Sequence, residues 1–496
     1  MSGGSHPPLF LGPQPASQDA YASAIACAQA QVLRHFAPLP QCYRGTPPQA
    51  LHERFASVDP CPDEGQALDQ VLDWVGREVL ADSIAVSHPM TMAHLHCAPL
   101  LPALAAEVLI SASNASMDSW DQAPAPSHLE QRIVEWLGAR FGLGPRADGI
   151  FTSGGTQSNF LGLLLARDRF CQRAFGVSVQ REGLPAQASK LRILCSSVAH
   201  FSVQQSAAIL GLGHDAVVPV PVDAAQRMDA AQLQQCIASL RAEGLLPMAV
   251  VATAGTTDFG SIDPLPEVAD IAAREGLWLH VDAAYGGALA LSDRLRPRLA
   301  GIERADSLTV DFHKLFWQPI SASALLLRDR AGWELLRLHA DYLNPADAEL
   351  QGTLDLVTKS IQTTRRFDSL KLFVTLRTLG RRRFAALVEQ TVDLASAVAT
   401  TIDAEPCLQR IAPVGINSVV FRCVDPAWSD GDADRINATV RERLLREGRA
   451  LIGRTRVAGR TCLKFTLLNP EAGLPAIRQL LRELLAMARQ VAADRA

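Results

Sequence analysis

The sequence predicts an α/β fold: a mostly parallel central sheet flanked by helices, with an N-terminal helical segment and a small C-terminal α+β domain. Three observations predict it. Short β-rich runs alternate with helical patterns through the middle of the chain, an arrangement that joins parallel strands by crossover helices. The pattern before that stretch is helical, and the pattern after it mixes the two. The length of 496 residues also exceeds what one core of ordinary size holds, so two or three packed regions are expected.

Residues 1–95 form the first region. "ALDQVLDWVGREVLADSI" (Ala67 to Ile84) has apolar residues at helical spacing, and "SHPMTMAHLHCAP" closes the segment as a loop. Residues 96–385 form the large α/β region. Its strands are "RILCSSV", "MAVVATAG", "LWLHVDAAY", "SLTVDF" and "SASALLLR". Residues 386–496 form the small domain. There "FAALVEQTVDLASAVATTI" reads as a helix, followed by the strand-like "NSVVFRC" and "CLKFTLLN" and a closing helix. No internal repeat or low-complexity tract is found.

The totals narrow the function classes. Apolar residues make up 48% of the chain and the formal net charge is -4, a balance that suits a globular enzyme. It gives no reason to expect nucleic acid or an anionic membrane as partner. No apolar run is long enough to span a bilayer. The first twenty residues lack the basic start and apolar stretch of a secretory signal. The ten cysteines are scattered without a CxxC pair, so no zinc or redox pair is expected, and reduced thiols in the cytoplasm are.

Four places carry chemistry. In "TVDFHKLFWQP" the cation Lys314 lies between His313 and the apolar run Leu315-Phe316-Trp317, just past a buried strand. Burying an ammonium costs several kcal/mol unless its charge is removed or paired. In "TSGGTQSNFLGLLLARDR" a Gly-Gly turn enters a helix. Free N–H groups at a helix start attract phosphate, with Gly155 and Thr156 as donors, although such a turn is often only a tight connection. "CSSVAH" ends at His200, and "LHVDAAYGG" places Asp282 at the end of an apolar run. A carboxylate so near the core needs a cationic partner, either a structural one or a protonated ring nitrogen. Pyridoxal 5'-phosphate matches all four at once: an aldehyde for Lys314, a pyridinium for Asp282, a flat ring for His200 and a phosphate for the glycine turn.

With these residues in place the chain resembles the group II pyridoxal-phosphate decarboxylases of fold type I. The likeness runs from about residue 65 to the end and is carried by "SGGTQSN", "HVDAAYGG" and "DFHK". It implies that Lys314 holds the cofactor as a Schiff base, that Asp282 pairs with the ring nitrogen, and that His200 stacks on the ring. It further implies that Gly155, Thr156 and His313 surround the phosphate, that Thr257 and Ala284 line the cofactor, and that the enzyme is a homodimer. "HPMTMAHLHCAP", "ADYLNP" and "KSIQTTRRFDSLKL" look like the branch acting on lysine, ornithine or 2,4-diaminobutyrate for siderophore or polyamine precursors. Aromatic decarboxylases usually have Asn-Pro-His-Lys where this chain has Asp311-Phe312-His313-Lys314. An aromatic or acidic substrate, or an aminotransferase or lyase reaction on the same fold, stays open. A non-enzymatic scaffold is disfavoured, because neither Lys314 nor Asp282 would then need its place.

Other assignments concern the reaction itself. Many relatives carry a proton-donating tyrosine on a mobile loop. Here the loop at residues 346–358 contains none, and Tyr342 stands just before it. Tyr342, His200 or water are the candidate proton donors, and that loop is the candidate lid. Asp118 and Asp121 are candidates for holding a distal ammonium, while Arg365 and Arg366 read as structural.

Overall fold

The computed structural model describes residues 8–338 and 353–494. Contacts within the chain divide it into two units. The large one comprises Leu95–Ala404 and Arg410–Val420, and the small one comprises Met1–His94, Glu405–Gln409 and Phe421–Ala496. Among the described residues the strands are β1 (Thr91–Met92), β2 (Asp148–Thr152), β3 (Leu191–Ser196), β4 (Val217–Val220), β5 (Leu246–Thr253), β6 (Trp278–Asp282), β7 (Ser307–Asp311), β8 (Ser323–Leu327), β9 (Leu408–Arg410), β10 (Ser418–Cys423), β11 (Leu451–Val457) and β12 (Arg460–Thr466).

The large unit is built on a seven-stranded sheet in the order β2-β8-β7-β6-β5-β3-β4. β4, β3, β5, β6 and β7 pair in parallel, and β8 runs antiparallel to both β7 and β2. Every residue of β2, β5 after its first, β6, β7 and β8 is buried. This explains their continuous apolar character, since helices cover both faces of such a sheet. The expected strands are all present, with β2 and β4 added to them. β4, "VVPV", is short and half polar in exposure, and β2 is only five residues ending in the glycine turn. β4 is too short to be legible, and β2 opens on Asp148-Gly149, a pair that reads as a turn rather than a strand.

The helix Gly155–Phe175 lies against this sheet and buries Leu161, Leu163, Leu164 and Leu165. Its close approach depends on Gly162, where a Cβ would come within 2.6 Å of the His280 imidazole on β6. The core beneath it gathers Leu161, Leu165, Ile193, Cys195, Ala249, Val251 and Leu325. Burial of that many apolar groups is the main force holding sheet and helix together.

The small unit contains both ends of the described chain. β1 pairs in parallel with β11 (Thr91 with Leu451), and β11 and β12 form a hairpin. The hairpin turn is Ala458-Gly459, with φ of 49° and 79°, the backbone that suits the twist of two tightly joined strands. Cys42 donates its amide to the Gly448 carbonyl at 3.2 Å, and Ala85 donates to the Cys42 carbonyl at 2.9 Å. The N-terminal segment thus shares a unit with the C-terminal strands, an arrangement hidden in the sequence because β1 is two residues long. The boundary expected at 385 falls inside the helix Ser369–Asp403, which is interrupted at Gly380 with φ of 68°.

Candidate active site

In a parallel sheet the loops that follow the strands converge at their carboxyl ends, and ligands bind there. Asp282 is the last residue of β6 and Asp311 the last of β7, with Lys314 three residues on. His200 follows β3, Thr257 follows β5, and Gly155 and Thr156 follow β2. Together with Ala284 and His313 they line one cleft of about 340 Å³. The structure therefore brings together every proposed site residue except Tyr342, which lies outside the described residues, as does most of the proposed lid.

Lys314 is held by a feature the sequence reading missed. Its Nζ is 2.9 Å from an Asp311 carboxylate oxygen, and the lysine side chain keeps only 20% of its surface exposed. Burial pulls the Lys314 ammonium down, but Asp311 and Asp282 outweigh it and leave its pKa above the ordinary lysine value. Asp311 is fixed in turn by the Ser323 hydroxyl at 2.6 Å, across the β7–β8 pair. The buried cation is thus paired within the protein. A carboxylate three positions before the lysine was the available signal, but the pairing depends on how the chain turns after β7.

Asp282 is buried and accepts two hydrogen bonds, from the Asn159 side-chain amide at 2.8 Å and from the Ala284 N–H at 3.0 Å. Asn159 also donates to Ser202 Oγ at 3.0 Å, and Ser202 Oγ lies 2.8 Å from Nδ1 of His200. On the other side of Asn159, its carbonyl oxygen is 2.9 Å from Nε2 of His280. Desolvation lowers the His280 pKa to about 4 despite the nearby Asp282 charge, so the ring is neutral. Asn159 and Ser202 were unassigned from sequence because their partners lie far along the chain.

The glycine turn has the shape of a cradle. A Cβ at Gly155 would stand 3.0 Å from both Asp311 oxygens and 3.3 Å from Ala284. The Gly154 carbonyl accepts the Ser158 N–H at 3.1 Å as the first helical bond. The amides of Gly155, Thr156 and Gln157 before it belong to the helix start, where such groups are available to an anion. His313 donates from Nδ1 to the Ala322 carbonyl at 2.8 Å, which ties the lysine loop to the start of β8.

Two further assignments meet the structure. Arg365 is buried and paired with Glu130 at 3.0 Å, and Arg366 is paired with Glu107, as the structural reading expects. Lys371, in the same motif, is fully buried and donates to the carbonyls of Pro319 and Ser321, fixing one wall of the cleft. Asp118 and Asp121 do not line the cleft. Asp118 accepts from the Ser119 amide at 2.8 Å and Asp121 from the Ser119 hydroxyl at 2.6 Å.

A larger groove of about 500 Å³ lies at the opposite ends of β6 and β7. Two of its four guanidiniums are closely paired, Arg328 with Asp306 at 2.7 Å and Arg304 with Asp270 at 2.7 Å, and Arg169 lies over the Trp278 ring. It carries no nucleophile, so the smaller cleft holds the chemistry.

The chain is similar to several known proteins. The chain is 43% identical to the L-2,4-diaminobutyrate decarboxylase of Acinetobacter baumannii over 436 residues, covering 86% of this chain and 85% of that one. It is 42% identical to the enzyme of the same name from Rhizobium meliloti (strain 1021), covering 98% and 95%. A crystal structure of the glutamate decarboxylase domain of diaminobutyrate-pyruvate transaminase and L-2,4-diaminobutyrate decarboxylase from Vibrio parahaemolyticus superposes with a TM-score of 0.88. It is 39% identical and covers 97% of this chain and 98% of that one. The conserved domain of pyridoxal-dependent decarboxylases matches residues 52–424. The chain therefore belongs to the pyridoxal-dependent decarboxylase family, and it is a pyridoxal-phosphate-dependent carboxy-lyase.

Proposed function

We propose that this enzyme decarboxylates a short L-diamino acid, 2,4-diaminobutyrate first, releasing carbon dioxide and a diamine that serves polyamine or siderophore precursor synthesis. The observation that carries the substrate class is the charge of the cleft. Among the described lining residues there is no arginine to receive a distal carboxylate, while Asp311 adds a negative charge beside Lys314. A substrate with a second ammonium suits such a lining; an acidic one does not. The two diaminobutyrate decarboxylases at 42% and 43% identity support the same choice.

The residues present fit the cofactor. Gly155 and Thr156 open a helix at the cleft, Asp282 offers a buried carboxylate, and Lys314 offers an amine in the same cleft. Pyridoxal 5'-phosphate, when bound, supplies an electron-withdrawing ring that takes up the electron pair left by the departing carboxylate. Lys314 would hold the cofactor through its amine, the one lysine among the described residues of the cleft. Asp282 keeps the ring nitrogen protonated, with Asn159 and the Ala284 amide holding its two oxygens. The amides of Gly155 and Thr156, with His313, receive the phosphate, Thr257 and Ala284 line the cofactor, and His200 covers the ring face. The proton that completes the amine comes from Tyr342 or a water.

Exposed apolar side chains support a homodimer. Leu101, Leu104, Val108 and Leu109 of the helix Leu101–Ser113 are exposed, Leu101 by 80%, and a second copy of the chain is the cover we propose for them. Ten free cysteines, six of them buried, support a reducing cytoplasmic setting. The test is a panel of amino acids assayed for amine and carbon dioxide. Diaminobutyrate should exceed aromatic and acidic amino acids by about 100-fold in kcat/KM. Preference for glutamate or an aromatic substrate would reject the reading.

A further inference from the structure

A chain of hydrogen bonds behind the cleft can be read with its directions, because its ends act one way only. The Trp278 indole N–H only donates, and the ionised Asp282 carboxylate only accepts. Asn159 must therefore turn its NH₂ group toward Asp282 Oδ2, at 2.8 Å, and its other N–H goes to Ser202 Oγ at 3.0 Å. That leaves the Asn159 carbonyl facing Nε2 of His280 at 2.9 Å, so this nitrogen carries the His280 proton. Nδ1 of His280 then accepts from the Ser307 hydroxyl at 2.7 Å, and the Ser307 oxygen accepts the Trp278 indole N–H at 2.8 Å. The directions agree from one end to the other.

The branch toward the cleft is equally constrained. Asn159 donates to the Ser202 oxygen, which leaves the Ser202 hydroxyl hydrogen for Nδ1 of His200 at 2.8 Å. The Ser202 main-chain N–H points at the same nitrogen from 3.2 Å, and a main-chain amide cannot accept. A proton on Nδ1 would therefore meet the Ser202 N–H, which only donates, whereas an unprotonated Nδ1 can accept from both that N–H and the Ser202 hydroxyl.

We propose that Asn159 is a positioning residue that fixes the Asp282 carboxylate and, through Ser202, locks His200 as the neutral tautomer protonated on Nε2. In this state His200 is an N–H donor toward the cleft and a poor acid, which removes it as the proton source for the α-carbon and leaves Tyr342 or water. The charged groups that face His200 are Asp282, Lys314 and Asp311. Desolvation lowers its pKa, Asp282 and Asp311 oppose that, and Lys314 reinforces it, so the electrostatics agree with the geometry.

The inference rests on the proposed function only for what His200 faces. Its test is solid-state NMR of ¹⁵N-histidine-labelled enzyme, cofactor-free and loaded, with His200 assigned by difference from His200→Phe. This reads tautomer and protonation without turnover, so failure of the substrate assay leaves it intact. Wild-type His200 should show the Nε2–H tautomer at pH 7. Asn159→Leu removes the donor that orients the Ser202 hydroxyl toward Nδ1, and should raise the His200 proton affinity by about tenfold or populate the Nδ1–H tautomer. Ser202→Ala, a milder change, should move the same signals in the same direction. An imidazolium or Nδ1–H signal in the wild type at pH 7, or unchanged His200 signals in both variants, would overturn the proposal.

Discussion

β6 and β7 present charged groups at both ends, and the two ends differ in how those groups are spent. At the amino ends, Arg328 and Arg304 meet Asp306 and Asp270 in partly exposed pairs. Such pairs are screened by water and individually worth about 0–1 kcal/mol. At the carboxyl ends, Asp282, Asp311 and Lys314 sit in a cleft with Asn159 and His200, each held by named hydrogen bonds from the protein. Charge near a sheet is thus a poor guide to function by itself. What separates the ends is desolvation together with fixed partners for the carboxylates of Asp282 and Asp311 and the amine of Lys314.

Four changes bear on that contrast. Lys314→Ala at the carboxyl end should abolish turnover and the cofactor's absorbance band, read by amine release and a spectral scan; residual turnover near wild type would erase the contrast. Asp282→Asn should lower kcat by about 10²–10³ with little change in thermal unfolding, as measured by steady-state kinetics alongside melting curves.

The third change concerns pH. The folded-state pKa of His280 is about 4 against an ordinary 6.5, so the unfolded chain takes up the proton first. The stability tied to neutral His280 is whole above pH 6.5 and falls away as pH drops toward about 4. Denaturant unfolding of wild type and His280→Gln from pH 8 to pH 5 should show the wild type losing a few kcal/mol more than the variant. Parallel curves would contradict it. The smallest effect belongs to the amino end: Arg328→Ala should leave kcat/KM within about twofold and stability within about 1 kcal/mol, by the same assays.

The sequence alone made most of the cleft legible, and the physics explains which part. Lys314, Asp282 and the Gly155-Thr156 turn stand out because a cation, a carboxylate and paired glycines each break the apolar pattern of a buried strand end. Asn159 and Ser202 do not stand out. They are ordinary polar residues whose partners are set by folding, Asn159 reaching Asp282 across 123 positions of sequence. The Asp311–Lys314 pair was near in sequence yet unseen, since strand β7 ends between them and the pairing needs the turn that follows. The association of the N-terminal segment with β11 was hidden for a simpler reason: it passes through two residues of β1.

The central claim is that the amine at position 314 carries the cofactor. Borohydride reduction of the loaded enzyme, followed by peptide mass mapping, tests it most directly. The account predicts a pyridoxyl group on the peptide containing Lys314 and on no other lysine. An unmodified Lys314 peptide from protein saturated with cofactor would contradict it.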